Sequence, residues 1–367
     1  MDETPTEPPV EPFGPEDELD DEAPGWQAIN GALERIYGDT KPYHWGTLLK
    51  WSLGGRDPLD GISVHARTEP VPHWHYISYG MSELYGKAED GDPEESGWGF
   101  EFTFRLARDP AEETPPVWAA NLLQNLGRYV FSSGNHFEAG HHMDANGPIA
   151  ADRADSEIQA VVFATDPELG AISTPNGRLE FLQVVGLARE EYEAARQWNA
   201  GSMLEILEPR IPLFVTDIDR GSLLADPEVA AAVQAGVERE GSSSGMLYVT
   251  TAGWADEPDG TTVLRLGALQ APMIRQSLSG RLPYGRELYV VADDMTLCFE
   301  PADGFSLARE NGVLKIGVPE GALDGLLGAI RSESGRTPVP SLPGLAVEIV
   351  PTRMRDQYGN ETGEVIG

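Results

Sequence analysis

The chain has 367 residues, 40% of them apolar, and 60 acidic against 26 basic side chains, for a formal charge of −34. That length suits about two domains, and so negative a body repels phosphate backbones, which argues against direct nucleic-acid binding. No run nears the roughly 18 apolar residues of a spanning helix, which argues against a membrane partner. The single cysteine, Cys298, leaves no internal disulfide and suits a reducing cytoplasm.

Taken in order, "MDETPTEPPVEPFGPEDELDDEAP" holds ten acids and six prolines. It has no apolar stretch of the kind a secretory signal needs, and residues 1–24 are expected to be a disordered acidic tail. "GWQAINGALERIYG" follows, with Trp26, Ile29, Leu33, Ile36 and Tyr37 on one helical stripe and Gly38 as the stop. "HWGTLLKW", "GISVHART" and "HWHYISYGM" read as strands. "GWGFEFTFRLAR" alternates Phe100, Phe102, Phe104 and Leu106 with Glu101, Thr103 and Arg105, which predicts a half-buried strand with one wet face. In "TPPVWAANLLQNLGRYVFSS", Thr114 is placed to cap a helix, Pro115 and Pro116 to open it, and Leu122, Leu126, Tyr129 and Val130 to form its stripe. Beyond a Gly/His/Asp-rich loop, "IQAVVFA", "LEFLQVVGLA" and "PLFVTDIDR" read as strands, with helices at "REEYEAARQW" and "DPEVAAAVQAGVERE".

"GSSSG" at 241–245 is the one internal stretch with a linker's composition. After it come strands at "MLYVTTAGW", "TTVLRLGAL", "ELYVVADD" and "TLCFEPA", a helix near 270–280, and the turn-bearing "SLARENGVLKIGV". A last helix, "PEGALDGLLGAIRS", and a last strand, "LAVEIVP", close the pattern. Strands and helices alternate too irregularly for a doubly wound sheet. The fold class is therefore α+β, two domains each with a mixed sheet, divided as 25–240, a linker at 241–245, and 246–354, with a tail at 355–367.

His73 and His75 lie two apart in a strand, so both point to one face and could ligate one metal, with His141, His142 or Glu138 adding ligands. The carboxylate that such sites want shortly after the histidine pair is missing: Tyr76, Ile77, Ser78 and Tyr79 stand there, and Glu83 is too distant. The aromatic neighbours favour a packed strand instead. Nucleophile elbows, phosphate loops and dinucleotide fingerprints are absent. Asp57, Asp60, Asp217 and Asp219 are the kind of pairs an acidic chain yields by chance, and Cys298 sits in an apolar strand as a small hydrophobe. No catalytic residues and no cofactor are indicated, so a binding protein is favoured by elimination.

The order of the segments "WSLGGRDPLDGISVH", "PHWHYISYGMSELYG", "GWGFEFTFRLAR", "PPVWAANLLQNLGRYVFSSGNHFEAGHH", "TPNGRLEFLQVVGL" and "ARQWNAGSMLEIL" resembles the Suppressor of fused family over about residues 26–222. "VLRLGALQAPMIRQSLSGRLPYGRELYVV" resembles the family's C-terminal domain more loosely. The long insertion of animal members is lacking, as in a compact bacterial form. The resemblance implies a non-enzymatic protein that sequesters a partner by clamping a segment of it, as an added β-strand, between its two domains. It places the clamp tyrosine at Tyr129, the receiving strand at about Phe137–Met143 and the opposing strand at about Met246–Thr250, so Tyr129, Phe137, His141, Met143, Met246 and Tyr248 are the expected partner-binding residues. Animal members carry an aspartate where this chain has His141, so the ligand is expected to differ. Bacterial relatives of this kind suggest an immunity protein, and the negative charge suits a basic toxin domain. The alternative is a metal-dependent hydrolase on the His73/His75 strand.

Overall fold

The computed structural model describes residues 23–89, 91–292, 295–355 and 361–367. The expected acidic tail therefore lies outside the described residues, apart from Ala23 and Pro24. The chain divides into two compact units: one runs to Tyr192 and includes Ala200–Ala230, and the other joins Glu193–Asn199 to Ala231–Gly367.

Unit one opens with helix α1 (Pro24–Tyr37), then strands β1 (Tyr43–Gly46), β2 (Gly61–Arg67), β3 (His73–Tyr79) and β4 (Glu95–Ala107). Helix α2 (Val117–Ser133) leads to β5 (His142–Asp144), β6 (Ile158–Thr165), β7 (Ala171–Thr174) and β8 (Gly177–Ala188). Among the described residues these make one eight-stranded sheet in the order β1-β2-β3-β4-β8-β6-β5, with β7 hooked onto β8. Pairing is antiparallel throughout except between β4 and β8. On one face Val64, Trp74, Tyr76, Phe102, Phe104 and Val184 pack with Ala119, Leu123, Leu126 and Val130 of α2. On the other, the α1 stripe closes over Ile77, Tyr79, Leu179 and Phe181 through Ile29 and Leu33. Helix α2 begins at Val117 with Pro116 in the cap position, so Thr114 lies before the helix and does not cap it.

The wet face expected for β4 is dry. Glu101, Thr103 and Arg105 are all 0% exposed, because α1 and the turn after β6 cover that side of the sheet. The alternation is real, but it separates an apolar interior from a polar one. Arg105 forks onto Asp166, with Nη1 to Oδ2 at 2.6 Å and Nη2 to Oδ1 at 3.1 Å, and its other bonds reach Gln183 and Glu168. Thr103 donates to the same carboxylate at 2.8 Å. Glu101 accepts from the Gly80 N–H and from the N–H and hydroxyl of Ser82 at 2.6–3.0 Å, and from Ser78 Oγ as well. Buried charge is tolerated only when it is satisfied in this way.

Helix α3 (Arg189–Gln197) follows β8, then α4 (Ala200–Leu207) and α5 (Pro227–Glu240). The stretch "PLFVTDIDR", expected as a strand, is a 3₁₀ turn at Pro212–Phe214 with one bridge from Thr216 to Leu106. Leu213 and Phe214 take positive φ (55° and 54°), a conformation that costs bulky residues energy. Their carbonyls both accept from Gln183 Nε2, at 2.9 and 3.2 Å, so the turn is held by the buried polar face.

Unit two contains β9 (Met246–Tyr248), β10 (Ala252–Asp256), β11 (Thr262–Gly267), α6 (Ala271–Ser279), β12 (Leu288–Ala292), β13 (Met295–Pro301), β14 (Ser306–Glu310) and β15 (Val313–Val318). It continues with α7 (Leu323–Ala329), β16 (Gly335–Pro338), β17 (Leu345–Val350), β18 (Thr352–Arg355) and β19 (Glu361–Ile366). Two mixed sheets, β10-β11-β17-β16 and β14-β15-β13-β12-β9, share a core of Leu264, Ile274, Leu278, Val290, Phe299, Ile316, Leu326 and Val347. The β14–β15 hairpin turns on Asn311-Gly312, both at positive φ, the pair such a turn favours. Strands β18 and β19 pair as a hairpin where the sequence suggested a tail.

The stretch 241–245, expected as a linker, is tied into unit two. Ser242 is 0% exposed. Its N–H donates to Gly280 O and its hydroxyl to Arg196 O, and its carbonyl accepts from Arg281 and Arg286. Serine and glycine serve here as small hydrogen-bonding filler.

The Arg105–Asp166 pair yields a stability test. Removing one partner strands the other, so Arg105→Met and Asp166→Asn should each cost about 3–5 kcal/mol, and the double variant clearly less than their sum. Urea unfolding of the four proteins measures this; strictly additive losses would mean the pair is not coupled.

Candidate functional site

His73 and His75 are both 0% exposed and face the polar interior. His75 Nδ1 lies 2.6 Å from Tyr37 Oη and Nε2 lies 3.3 Å from Asp166 Oδ2. A neutral imidazole offers one acceptor and one donor; Tyr37 therefore donates to Nδ1, and Nε2 carries its proton toward Asp166. His73 Nδ1 lies 2.7 Å from Val71 O. Burial lowers the pKa of His73 to about 4, and burial together with the nearby Arg105 lowers that of His75 to about 3. Burial alone would raise the Asp166 carboxyl, but His75 and Arg105 hold it well below its ordinary range.

The further ligands suggested for a metal stand elsewhere. β3 and β5 are separated by four strand spacings in the sheet, roughly 19 Å at about 4.8 Å each. His141 and His142, with Glu138 beside them, therefore cannot share an ion with His73 and His75. Asp57 pairs with Arg128, Asp60 accepts from Tyr85 Oη, Asp217 caps the Asp219 N–H and Asp219 pairs with Arg153. Cys298 is buried, and burial raises its thiol pKa. Among the described residues the acids and cysteine that do converge are Glu287, Cys298 and Glu300, in unit two.

The expected partner-binding residues lie on or beside an edge strand in each unit. In unit one, β5 is the last strand of its sheet and, among the described residues, pairs on one side only, with β6. The approach to it continues the ladder: Gly140 N–H donates to Phe163 O and Phe163 N–H to His141 O, at 2.8 and 2.9 Å. Phe137 is buried and stacks on Phe163 with ring centroids 4.1 Å apart, and Tyr129 on α2 stacks on Phe137 at 5.5 Å. Tyr129 keeps 37% of its surface exposed, its hydroxyl accepting from Asn135 Nδ2 at 2.7 Å. His141 is exposed, and its Nδ1 accepts from the Glu138 N–H at 3.2 Å. Met143 is half-buried and packs against the apolar core.

In unit two, β9 is likewise an edge strand, paired among the described residues with β12 alone. Tyr289 N–H donates to Gly245 O and Val249 N–H to Val291 O, at 2.8 and 2.9 Å. By the two-residue alternation of a ladder, the Met246 and Tyr248 amides therefore turn toward the open side. Both side chains are exposed. Tyr129, Phe137, His141 and Met143 thus form one neighbourhood, and Met246 and Tyr248 another.

One apolar feature carries no sequence signal beyond its composition. Leu48, Leu49 and Trp51, read from sequence as the end of a strand, lie with Leu53 in an exposed loop after β1. Trp51 meets Phe131 edge-on at 5.4 Å, on the helix that bears Tyr129. Exposed apolar clusters of this kind commonly mark interaction surfaces.

Comparison with known proteins gives concordant matches. A family model, Suppressor of fused protein (SUFU), matches residues 55–221. The Suppressor of fused homologues of Homo sapiens and Mus musculus are each 37% identical over 284 residues, covering 69% of this chain and 58% of theirs. The chain thus spans a little over half the length of these curated relatives. Drosophila Suppressor of Fused has the same fold, with a TM-score of 0.74 over 89% of this chain and 97% of that chain at 24% identity. A chain from a crystal structure of the Sufu–Fu complex is 37% identical, with a TM-score of 0.54 over 58% of this chain and 98% of its own.

The buried histidines yield a pH test. His44, His65, His73 and His75 have pKa values lowered by burial to about 4, or about 3 for His75. In the unfolded chain they titrate near the ordinary 6.5. Between pH 6.5 and 4 the unfolded state binds more protons, so stability is full above pH 6.5 and falls as the pH drops. The loss is on the order of 1–3 kcal/mol per histidine. Glu101, raised by burial, acts in the opposite direction. Urea midpoints at pH 7.5 and pH 5 should differ markedly; equal midpoints would contradict the buried neutral state.

Proposed function

The chain belongs to the Suppressor of fused family, and on that premise we propose that it is a non-enzymatic binding protein that takes up a segment of a protein partner as an added strand. The observation that carries this reading is the coincidence of two independent placements. The segments singled out by family resemblance, about 137–143 and about 246–250, overlap strands β5 and β9, each at the edge of its sheet among the described residues, with the exposed Tyr129 beside the first and the exposed Tyr248 within the second. An edge strand offers unpaired backbone amides and carbonyls as a template for another chain. Strand addition draws its affinity from those groups and its selectivity from neighbouring side chains.

Tyr129 has the form of an interface anchor: a rigid ring held by Phe137 and Asn135, half open to solvent. The exposed Leu48–Leu53 loop extends apolar surface toward the same helix. With −34 net charge, the partner best suited to rapid capture is basic. A toxin domain of that charge, neutralised in the cytoplasm by this chain as its immunity protein, fits the reading. A relative solved in the Sufu–Fu complex assembles with another protein.

The test uses a partner captured from the native host or encoded by a neighbouring gene. Tyr248→Pro removes one outward amide without touching the β12 ladder. It should abolish capture while leaving the melting temperature almost unchanged. Tyr129→Ala should weaken binding by roughly 2 kcal/mol or more. His141→Glu should alter which partner segment binds more than it alters stability. A partner that binds all three variants as tightly as the parent chain would overturn strand addition at these edges.

A further inference from the structure

Where β4 and β8 begin, a cavity of about 310 Å³ opens beside residues 136–139. That is the lower end of the roughly 300–1,000 Å³ of ligand clefts, enough for one long side chain. Its floor is Phe100 and Leu182, both almost wholly buried. A ligand therefore meets mainly the exposed ring of His136, which stands edge-on to Phe100 at 5.4 Å.

The rim carries three glutamates against one arginine. Glu180 is already engaged: it pairs with Arg178 at 3.1 Å and accepts from Thr165 Oγ1 at 2.6 Å. Glu95 and Glu138 make their hydrogen bonds, among the described residues, through the backbone only. Both side chains are exposed, so two carboxylates are reachable and unpaired. Gly99, at φ 78°, leaves Glu95 its place on the rim, because a Cβ there would come within 2.9 Å of Glu95 Oε2.

These groups select a cation, and one cation more than others. An ammonium is a compact, strongly hydrated point charge, whereas a guanidinium is planar, less hydrated, stacks on rings and has donors enough to reach two carboxylates. Here one carboxylate comes from β4 and the other from the loop after α2, with an imidazole ring beside them. The pocket also adjoins the unit-one edge. Ala139 lines it, Gly140 next in the chain opens the ladder to Phe163, and the Glu138 N–H donates to His141 Nδ1.

We propose that this pocket takes an arginine side chain of the partner, beside the segment added along β5. The source of that arginine rests on the strand-addition reading; the preference of the pocket for a guanidinium does not.

Saturation-transfer NMR on the full chain reads the pocket without a partner, with N-acetyl-arginine amide as the probe and its lysine and citrulline analogues as controls. Arginine should bind at millimolar concentration, lysine more weakly, and citrulline, which keeps the shape without the charge, not detectably. Glu95→Gln combined with Glu138→Gln should weaken arginine binding by about tenfold, each exposed pair contributing about threefold. Non-specific attraction to a body of −34 charge would hardly change with two charges removed. Ala139→Trp, at an exposed wall position, should block the probe and weaken capture of the partner, whereas Tyr248→Pro in unit two should leave the probe's binding unchanged. No arginine binding, equal binding of lysine or citrulline, or undiminished binding in the glutamine pair and in Ala139→Trp would each overturn the pocket, whatever becomes of strand addition. Arginine binding alongside full partner capture by Ala139→Trp would overturn the assignment of that arginine to the partner.

Discussion

Unit one depends on a guanidinium and a carboxylate placed where solvent cannot reach. Arg105 and Asp166 are at most 1% exposed, so every one of their bonds must be made within the protein, and those bonds fix much else. Asp166 also accepts from the Glu168 and Leu169 amides and so shapes the turn after β6. Gln183 links Arg105 to the left-handed turn at Leu213 and Phe214. His75 links Asp166 to Tyr37, and hence to α1. A polar layer of this sort contributes little net stability beside an apolar one of equal volume, but it tolerates few alternative arrangements. It specifies register where a purely apolar face could slip.

The period-2 and period-3.6 patterns were enough to read α1, α2 and most strands. The Asn311-Gly312 turn was legible because local backbone chemistry alone requires it. The β4 alternation was also legible, but its meaning was not. A strand's own residues report that its two faces differ; they do not report what covers each face, and here α1 covers the second. His73 and His75 belong to that covered face, which is why a spacing suited to metal serves to brace the strand. Serine and glycine at 241–245 mimic a linker by composition, whereas their structure depends on carbonyls and guanidiniums distant in sequence. Residues 212–214 mislead in the same way: their apolar run suggests a strand, while Gln183 holds them in a turn.

Sheet edges are the least legible feature of all, because an edge is defined by the pairing that other strands do not make. Family resemblance pointed to about residues 137–143 and 246–250, and the topology places the edge strands β5 and β9 within or beside those segments. The rigid interior and the open rims are complementary. Strand β5 is anchored through β6 and β8 to the strand that carries Arg105, and β9 through β12 to the unit-two core, so neither edge needs a partner to stay extended. A preformed edge spares an incoming segment part of the ordering cost of binding. The acidic surface adds long-range attraction for a basic partner and repulsion of nucleic acid.

Amide hydrogen exchange, followed with and without a bound partner, tests this account most directly. Strand addition protects the amides that point away from the existing ladders, so new protection should concentrate at His142 and Asp144 and at Met246 and Tyr248, while the buried strands β3, β4 and β8 stay as slow as before. Protection that falls elsewhere and leaves both edges exchanging freely in the complex would contradict it.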